Sequence, residues 1–280
     1  MQGKTVVITG ATSGIGAVTA TTLARQGAKI VFIARDRARG EQMLQQLRAI
    51  SPGAGHLLHC ADLSVMADMK RVAGVIADAE KRIDVLVNNA GAVFSTRELT
   101  SEGLEKTFAT NHMGYFVVTN VLLERLKATP GARIVSTASD AYKTGPLRFN
   151  DLQAERGYSA FGMYGRSKLM NVLFTRQLAK RLAGTGVTAN CFHPGFVATR
   201  FGDSGSGFMN FLLQTAKRFA LTPEQGAQTQ IYLASSPQVS QVTGTYFNKC
   251  KPVNLWRRAR NDADAQRLWD ISAKLSGVGA

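Results

Sequence analysis

The stretch Thr5-Val6-Val7-Ile8-Thr9-Gly10-Ala11-Thr12-Ser13-Gly14-Ile15-Gly16 constrains this 280-residue chain more than any other. A short, mostly β-branched apolar run ends in a turn with glycine at 10, 14 and 16. The turn opens a segment of helical pattern that runs to Gly27. Glycines there let the backbone reverse sharply and let a ligand come close to the main chain. The first amides of the following helix lack partners of their own, and with the helix dipole they favour a phosphate. Strand, glycine turn and helix in this order predict dinucleotide binding at Gly10, Ser13, Gly14, Ile15 and Gly16. The turn lacks the Lys-Ser/Thr ending of a nucleoside-triphosphate loop, which argues against an ATPase.

Strand-like and helical patterns alternate through the rest of the chain. Strands are expected at 5–9, 29–34, 55–60, 83–88, 132–137, 187–193 and 243–248, and helices at 14–27, 37–50, 65–81, 101–128, 159–184 and 223–235. Most of the strands are continuous Val/Ile/Leu-rich runs, as in a parallel sheet buried on both faces. The expectation is an α/β protein: a single doubly wound parallel sheet, a Rossmann fold, flanked by helices. One domain is expected over 1–250, with a tail over 251–280 packed on it through Trp269 of a short helix at 262–275. Two stretches break the regular spacing. One connects Ser139 to Ser159 and contains Gly145-Pro146. The other, about 199–221, carries Phe208-Met209-Asn210-Phe211-Leu212-Leu213 and reads as a lid over an apolar substrate, an interfacial membrane helix being the other reading.

Composition narrows the class. Hydrophobic residues make up 45% of the chain, enough for a large core, yet no run of apolar residues is long enough to span a bilayer. No signal-peptide pattern precedes the first strand. Cys60, Cys191 and Cys250 are odd in number and widely spaced, so they read as reduced thiols. Together these features give the expectation of a cytoplasmic protein. The net charge of +15 is dispersed and densest at Arg35-Asp36-Arg37-Ala38-Arg39 and at Lys249, Lys251, Arg257, Arg258 and Arg260. It reads as a solvated basic face, with no specific nucleic-acid partner expected and peripheral contact with a membrane left open. His56 and His59, beside Cys60, fall on opposite faces of a strand, so no metal site is expected.

The second strand ends Phe32-Ile33-Ala34-Arg35-Asp36. A carboxylate at this strand end binds the ribose hydroxyls of NAD, whereas an arginine suits the 2′-phosphate of NADP. Arg35, with Arg39 one turn into the next helix, predicts NADP. A one-residue shift of the strand end would put Asp36 at the ribose instead.

Further along come Asp62-Leu63-Ser64, Asn88-Asn89-Ala90-Gly91, Asn111, Ser139, Tyr164-Gly165-Arg166-Ser167-Lys168 and Pro194-Gly195. With the glycine turn, and in this order, they resemble the short-chain dehydrogenase/reductase family from Lys4 to Asn248. The likeness is closer to its retinol-dehydrogenase-like and carbonyl-reductase-like branch. It is carried by Ala34-Arg35-Asp36, Asn111-His112-Met113-Gly114, Asn150-Asp151-Leu152, the run Ser167-Lys168-Leu169-Met170-Asn171-Val172-Leu173-Phe174 and His193-Pro194-Gly195.

The residues themselves support a proton-transfer site. Tyr164 and Lys168 stand four apart and share a helix face. An isolated phenol titrates at about 10, and a neighbouring ammonium is expected to lower that value. Ser139, at the end of the fifth strand, can hydrogen-bond a substrate oxygen, with Ser136 as its rival. Asn89 can pin adjacent strands through its side chain. The resemblance implies that Asn111, Ser139, Tyr164 and Lys168 are catalytic, Tyr164 as proton donor and acceptor, Lys168 also toward the nicotinamide ribose, and Asn111 in a water relay. It places the adenine near Asp62 and Leu63 and the adenosine ribose near Asn89, Ala90 and Gly91. Pro194, Gly195, Val197 and Thr199 would hold the nicotinamide amide and the pyrophosphate. The activity implied is an NADP(H)-dependent interconversion of a lipophilic ketone or aldehyde and its alcohol. The rival reading is a dinucleotide-binding protein without turnover, regulatory or at a membrane surface. The spacing from 139 to 164 exceeds the commonest one in the family and could cover a helix face used in tetramers, so a monomer or homodimer is expected.

Overall fold

The apolar run at the start of the chain is buried along its whole length, its side chains alternating between two cores. The structure, a computed structural model, describes residues 1–196 and 221–279. The strands are β1 (Thr5–Thr9), β2 (Lys29–Ala34), β3 (Leu57–Cys60), β4 (Val85–Asn88), β5 (Arg133–Thr137), β6 (Thr188–His193), β7 (Tyr246–Asn248) and β8 (Lys251–Pro252). They lie in the order β3-β2-β1-β4-β5-β6-β7-β8, parallel except for β8. The chain winds outward from β1 to β3, then returns to β4 beside β1 and winds the other way. The α/β doubly wound sheet expected from the sequence is therefore present. Its switch point lies between the C-terminal ends of β1 and β4, where such sheets bind ligands.

The helices are α1 (Gly14–Arg25), α2 (Arg37–Ile50), α3 (Met66–Ala79), α4 (Lys106–Phe108), α5 (Gly114–Val121), α6 (Leu123–Lys127), α7 (Ala160–Arg181), α8 (Pro223–Ser235) and α9 (Asp262–Ser276). Val6, Ile8, Phe32 and Val87 pack with α1, α2 and α8 on one face. Val7, Val31, Leu86 and Ile134 pack with α3, α5, α7 and α9 on the other.

The helix expected at 101–128 is interrupted. Gly103, at φ +75°, keeps the chain out of the helix there. The buried Glu105 then starts α4, its carboxylate accepting from the amides of Thr107 (2.8 Å) and Phe108 (2.7 Å). A π-helical turn, Ala109–Met113, follows before α5. Such turns concentrate at functional positions, and this one carries Asn111. The sequence also gave no sign of β8. Lys249 and Cys250, both at positive φ (49° and 59°), form a tight hairpin turn that glycine or asparagine ordinarily marks.

Trp269 on α9 is 3% exposed and packs on Phe116 and Phe174, with ring centroids 4.9 and 5.8 Å away. Its Nε1 donates to Gly279 O at 2.7 Å, and the Arg181 guanidinium lies 4.4 Å over its ring. The expected lid, except for Leu221, lies outside the described residues, as do Val197 and Thr199.

Candidate active site

The β1–α1 turn is fastened to the end of β4. Thr9 Oγ1 accepts from the amides of Asn89 (2.8 Å) and Ala90 (3.0 Å). Asn89 Nδ2 donates to Thr9 O and Gly10 O, both at 3.0 Å, which is the strand-pinning role its sequence position allowed. A Cβ on Gly10 would stand 2.9 Å from Ala90 Cα, and one on Gly16 would stand 2.2 Å from Gly10 O. Side chains at either position would force these segments apart. Gln230 on α8, which the sequence did not single out, completes the lattice. Fully buried, it accepts from Thr19 Oγ1 at 2.6 Å and donates to Asn89 Oδ1 and Thr137 Oγ1, both at 3.3 Å.

The start of α1 is left open. Ser13 holds the N-cap position in extended conformation and makes no side-chain cap hydrogen bond. By contrast Asp36, Ser159, Thr222 and Asn261 all cap their helices. The first amides of α1 therefore keep their capacity for an anion, at the switch point of the sheet. This fits the pyrophosphate of a dinucleotide, and Gly10, Ser13, Gly14, Ile15 and Gly16 are the residues that would hold it.

At the next turn, β2 ends at Ala34 as expected and Arg35 is exposed. Asp36 faces its own helix: its carboxylate accepts from the Arg39 amide at 3.1 Å and lies 3.6 Å from Arg39 Nε. Arg39, expected to face a phosphate, is thus partly engaged by Asp36. Asp62 Oδ1 accepts from the Ser64 amide at 2.9 Å, while the Leu63 side chain is buried in the core. A Cβ on Gly91 would reach within 3.3 Å of Asn111 Oδ1 and 3.6 Å of Lys168 Nζ, so its bare backbone forms a wall beside both groups. Pro194 and Gly195 follow β6, with Gly195 at φ +85°. Leu221 returns onto this point, its amide donating to Phe196 O at 2.7 Å.

Asn111, Ser139, Tyr164 and Lys168 come together near the C-terminal end of β5. Lys168 Nζ donates to Thr137 O at 3.1 Å and stands 5.4 Å over the Tyr164 ring and 5.9 Å over the ring of buried Tyr115. Ser139 caps the 3-10 turn Asp140–Lys143, its Oγ accepting from the Ala141 amide at 3.2 Å, and it hydrogen-bonds the Tyr164 phenol. Ser136 instead lies buried within β5. Asn111 is clamped by Ala92, accepting from its amide (2.8 Å) and donating to its carbonyl (2.9 Å), and also donates to Ser167 Oγ at 3.0 Å. Ser167 in turn donates to Tyr164 O at 2.7 Å.

The electrostatics differ from the expectation. Lys168 was expected to draw the Tyr164 pKa down. Burial dominates instead and pushes the phenol up to about 12, the Ser139 hydrogen bond opposing it. Burial also drives Lys168 down to about 7, so its ammonium is not a fixed charge beside the phenol at neutral pH. Adjacency on a helix face is visible in a sequence; the desolvation that outweighs it is not.

The long connection before α7 is stapled to that helix between Tyr164 and Lys168. Arg166 donates to the carbonyls of Pro146 (3.2 Å), Asp151 (2.6 Å) and Leu152 (3.1 Å). Asp140, next to Ser139, accepts from Tyr246 Oη and Lys143 Nζ, both at 2.8 Å, and its amide donates to His193 Nδ1 at 3.3 Å. No residue pattern in the chain announced Arg166 or Tyr246.

An open helix end at the switch point, and a buried lysine beside a tyrosine near the end of β5, are what a nicotinamide-dinucleotide oxidoreductase of alcohols and carbonyls requires. The family profile described as short chain dehydrogenase matches residues 4–206, and the chain belongs to this family, in its retinol-dehydrogenase-like branch. It is 42% identical over 295 residues to retinol dehydrogenase 14 of Mus musculus, covering 99% of this chain and 87% of that protein. It is 41% identical over 278 residues to retinol dehydrogenase 12 of the same organism, covering 99% and 88%. Among solved structures, an uncharacterised protein from Mycobacterium Paratuberculosis superposes with a TM-score of 0.78 at 32% identity, covering 99% of this chain and 94% of that one. These relatives overturn the expectation of a cytoplasmic protein. That expectation rested on thiols and on absent targeting or membrane-spanning patterns, and the retinol dehydrogenases among its relatives lend it no support. Among the described residues no helix is long and apolar enough to cross a membrane, which by itself fixes no compartment.

Proposed function

We propose that this protein interconverts a lipophilic aldehyde or ketone and its alcohol with NADP(H), and that Tyr164 gives and takes the proton. The convergence of Ser139, Tyr164 and Lys168 at the end of β5, together with the uncapped start of α1, carries this reading. The relatives named retinol dehydrogenases make retinoid alcohols and aldehydes the first substrates to examine. The choice of NADP is supported by Arg35, exposed at the end of β2, while the neighbouring carboxylate of Asp36 serves its own helix.

When bound, the nicotinamide supplies or accepts the hydride. The protein handles the proton and the geometry. Tyr164, held protonated through neutral pH, donates to the carbonyl oxygen as negative charge develops there in reduction, and takes the proton back in oxidation. The Ser139 hydroxyl, fixed by the Ala141 amide, orients that oxygen beside the phenol. Lys168 is anchored on Thr137 O and has donors left for a ribose. Its titration at about 7 lets it exchange a proton near neutrality. Asn111, clamped by Ala92, presents a fixed amide on the same side as Lys168.

Purified protein assayed with NADPH and NADH against a panel of aldehydes and ketones, retinaldehyde among them, tests the reading. Turnover with lipophilic carbonyls and a preference of at least about tenfold for NADPH are expected, the size of one charge-assisted contact to the 2′-phosphate. Preference for NADH would refute the role of Arg35, and absence of turnover across the panel would refute the activity.

A further inference from the structure

The tail helix reaches the reaction centre through buried polar groups. His112, next to Asn111 in the π-helical turn, is fully buried among Phe108, Phe116 and Phe174, with ring centroids at 5.5, 6.3 and 6.3 Å. Burial pushes its pKa down to about 3, so the imidazole is neutral and offers one donor and one acceptor. Its Nε2 lies 2.8 Å from Ser272 Oγ on α9. On the other side of the ring, Nδ1 makes no hydrogen bond of good geometry among the described residues, and neither does Oδ1 of the fully buried Asn171. The two side chains lie within hydrogen-bonding reach of each other, and that contact raises the His112 pKa against the effect of burial. Asn171 cannot turn its amide over. Its Nδ2 donates to Thr137 O at 3.3 Å, the carbonyl that also anchors Lys168 Nζ at 3.1 Å.

Two buried polar side chains in reach of each other without a well-formed hydrogen bond are rare and costly. One tautomer satisfies both. With its proton on Nδ1, His112 donates to Asn171 Oδ1 and accepts at Nε2 from the Ser272 hydroxyl, which can otherwise point to Leu268 O at 2.8 Å. We propose that Ser272, His112 and Asn171 form a directed hydrogen-bond chain from the C-terminal helix to the Thr137 carbonyl, and that this chain positions Lys168 and Asn111 for catalysis. Each member donates to the next, and Thr137 O receives from Asn171 and Lys168 together. Trp269, edge-on to Phe116 and stacked on Phe174, keeps Ser272 in register with His112. None of the three touches the reacting atoms; they are positioning residues. The inference rests on the proposed role of Lys168 beside Tyr164.

Two experiments test it. In wild-type protein, imidazole nitrogen NMR should show His112 protonated on Nδ1 and bare on Nε2; the opposite tautomer overturns the chain whatever any variant does. In Ser272→Ala, kcat should fall about tenfold with KM for the carbonyl little changed, the scale of a small misplacement of a catalytic group. The limb of the pH–rate profile set by Lys168 should shift, and Ser272→Thr, which keeps the hydroxyl, should restore both. A Ser272→Ala protein that melts earlier but keeps its kcat and pH profile shows a merely structural contact and overturns the proposal. If Tyr164→Phe loses turnover while Ser272→Ala does not, only this inference fails; if neither loses it, the reading of the site fails with it.

Discussion

Two neighbouring strand-to-helix turns are built alike and finished differently. α1 and α2 each follow a buried parallel strand, and each is entered through an extended N-cap residue, Ser13 at φ −162° and Asp36 at φ −91°. Asp36 turns its carboxylate onto the Arg39 amide and closes its helix. Ser13 makes no such bond and leaves α1 open. A helix end that the chain caps has little further need of an anion, whereas an open one at a switch point is an anion site. The closed end has its own consequence. Asp36 is itself exposed, but its carboxylate is committed to the Arg39 amide, which leaves Arg35 as an exposed charge at the end of β2 with no ion-pair partner among the described residues.

Arg35→Asp strikes the comparison hardest. It would remove the proposed charge-assisted contact to the 2′-phosphate and add a repulsion, so NADPH preference should fall by about a hundredfold, the equivalent of about 3 kcal/mol. The ratio of kcat/KM for the two cofactors measures it, and an unchanged ratio would mean that the end of β2 does not choose the cofactor. Ser13→Asp has a smaller effect with two signs. It gives α1 the cap that α2 already has, so the protein alone should gain about 1 kcal/mol of stability. The same carboxylate would stand where the pyrophosphate binds, so NADPH and NADH should both bind about tenfold more weakly, about 1.4 kcal/mol. Calorimetry on the free and cofactor-titrated protein reads both. Stabilisation without loss of affinity would place the anion elsewhere than on α1.

The same contrast explains what could be read from the chain. β1, β2 and the turn after each were legible because short-range rules decide them: apolar runs, glycine where φ is positive, arginine at a strand end. The catalytic candidates were legible as spacings, Tyr164 and Lys168 on one helix and Ser139 at a strand end. Their protonation was not, since burial, which no spacing records, outweighs the lysine's proximity. Elements fixed by distant contacts were also hidden. The π-helical turn at Ala109–Met113 lies inside what reads as one uniform helix, and the hairpin at Lys249 and Cys250 lacks the usual turn residues. Arg166 binds three carbonyls of an irregular loop, and Ser272 meets His112 from 160 positions away, so neither leaves a local pattern.

The proposed chemistry stands most directly on Tyr164. Tyr164→Phe keeps the ring beside Ser139 and Lys168 and removes only the hydroxyl proposed to carry the proton. Steady-state turnover of a lipophilic carbonyl with NADPH, measured alongside NADPH affinity, is the decisive measurement. The prediction is a loss of at least about a hundredfold in kcat/KM, the lower end of what a positioned acid–base group contributes, with cofactor affinity unchanged. Turnover at the wild-type rate would contradict it.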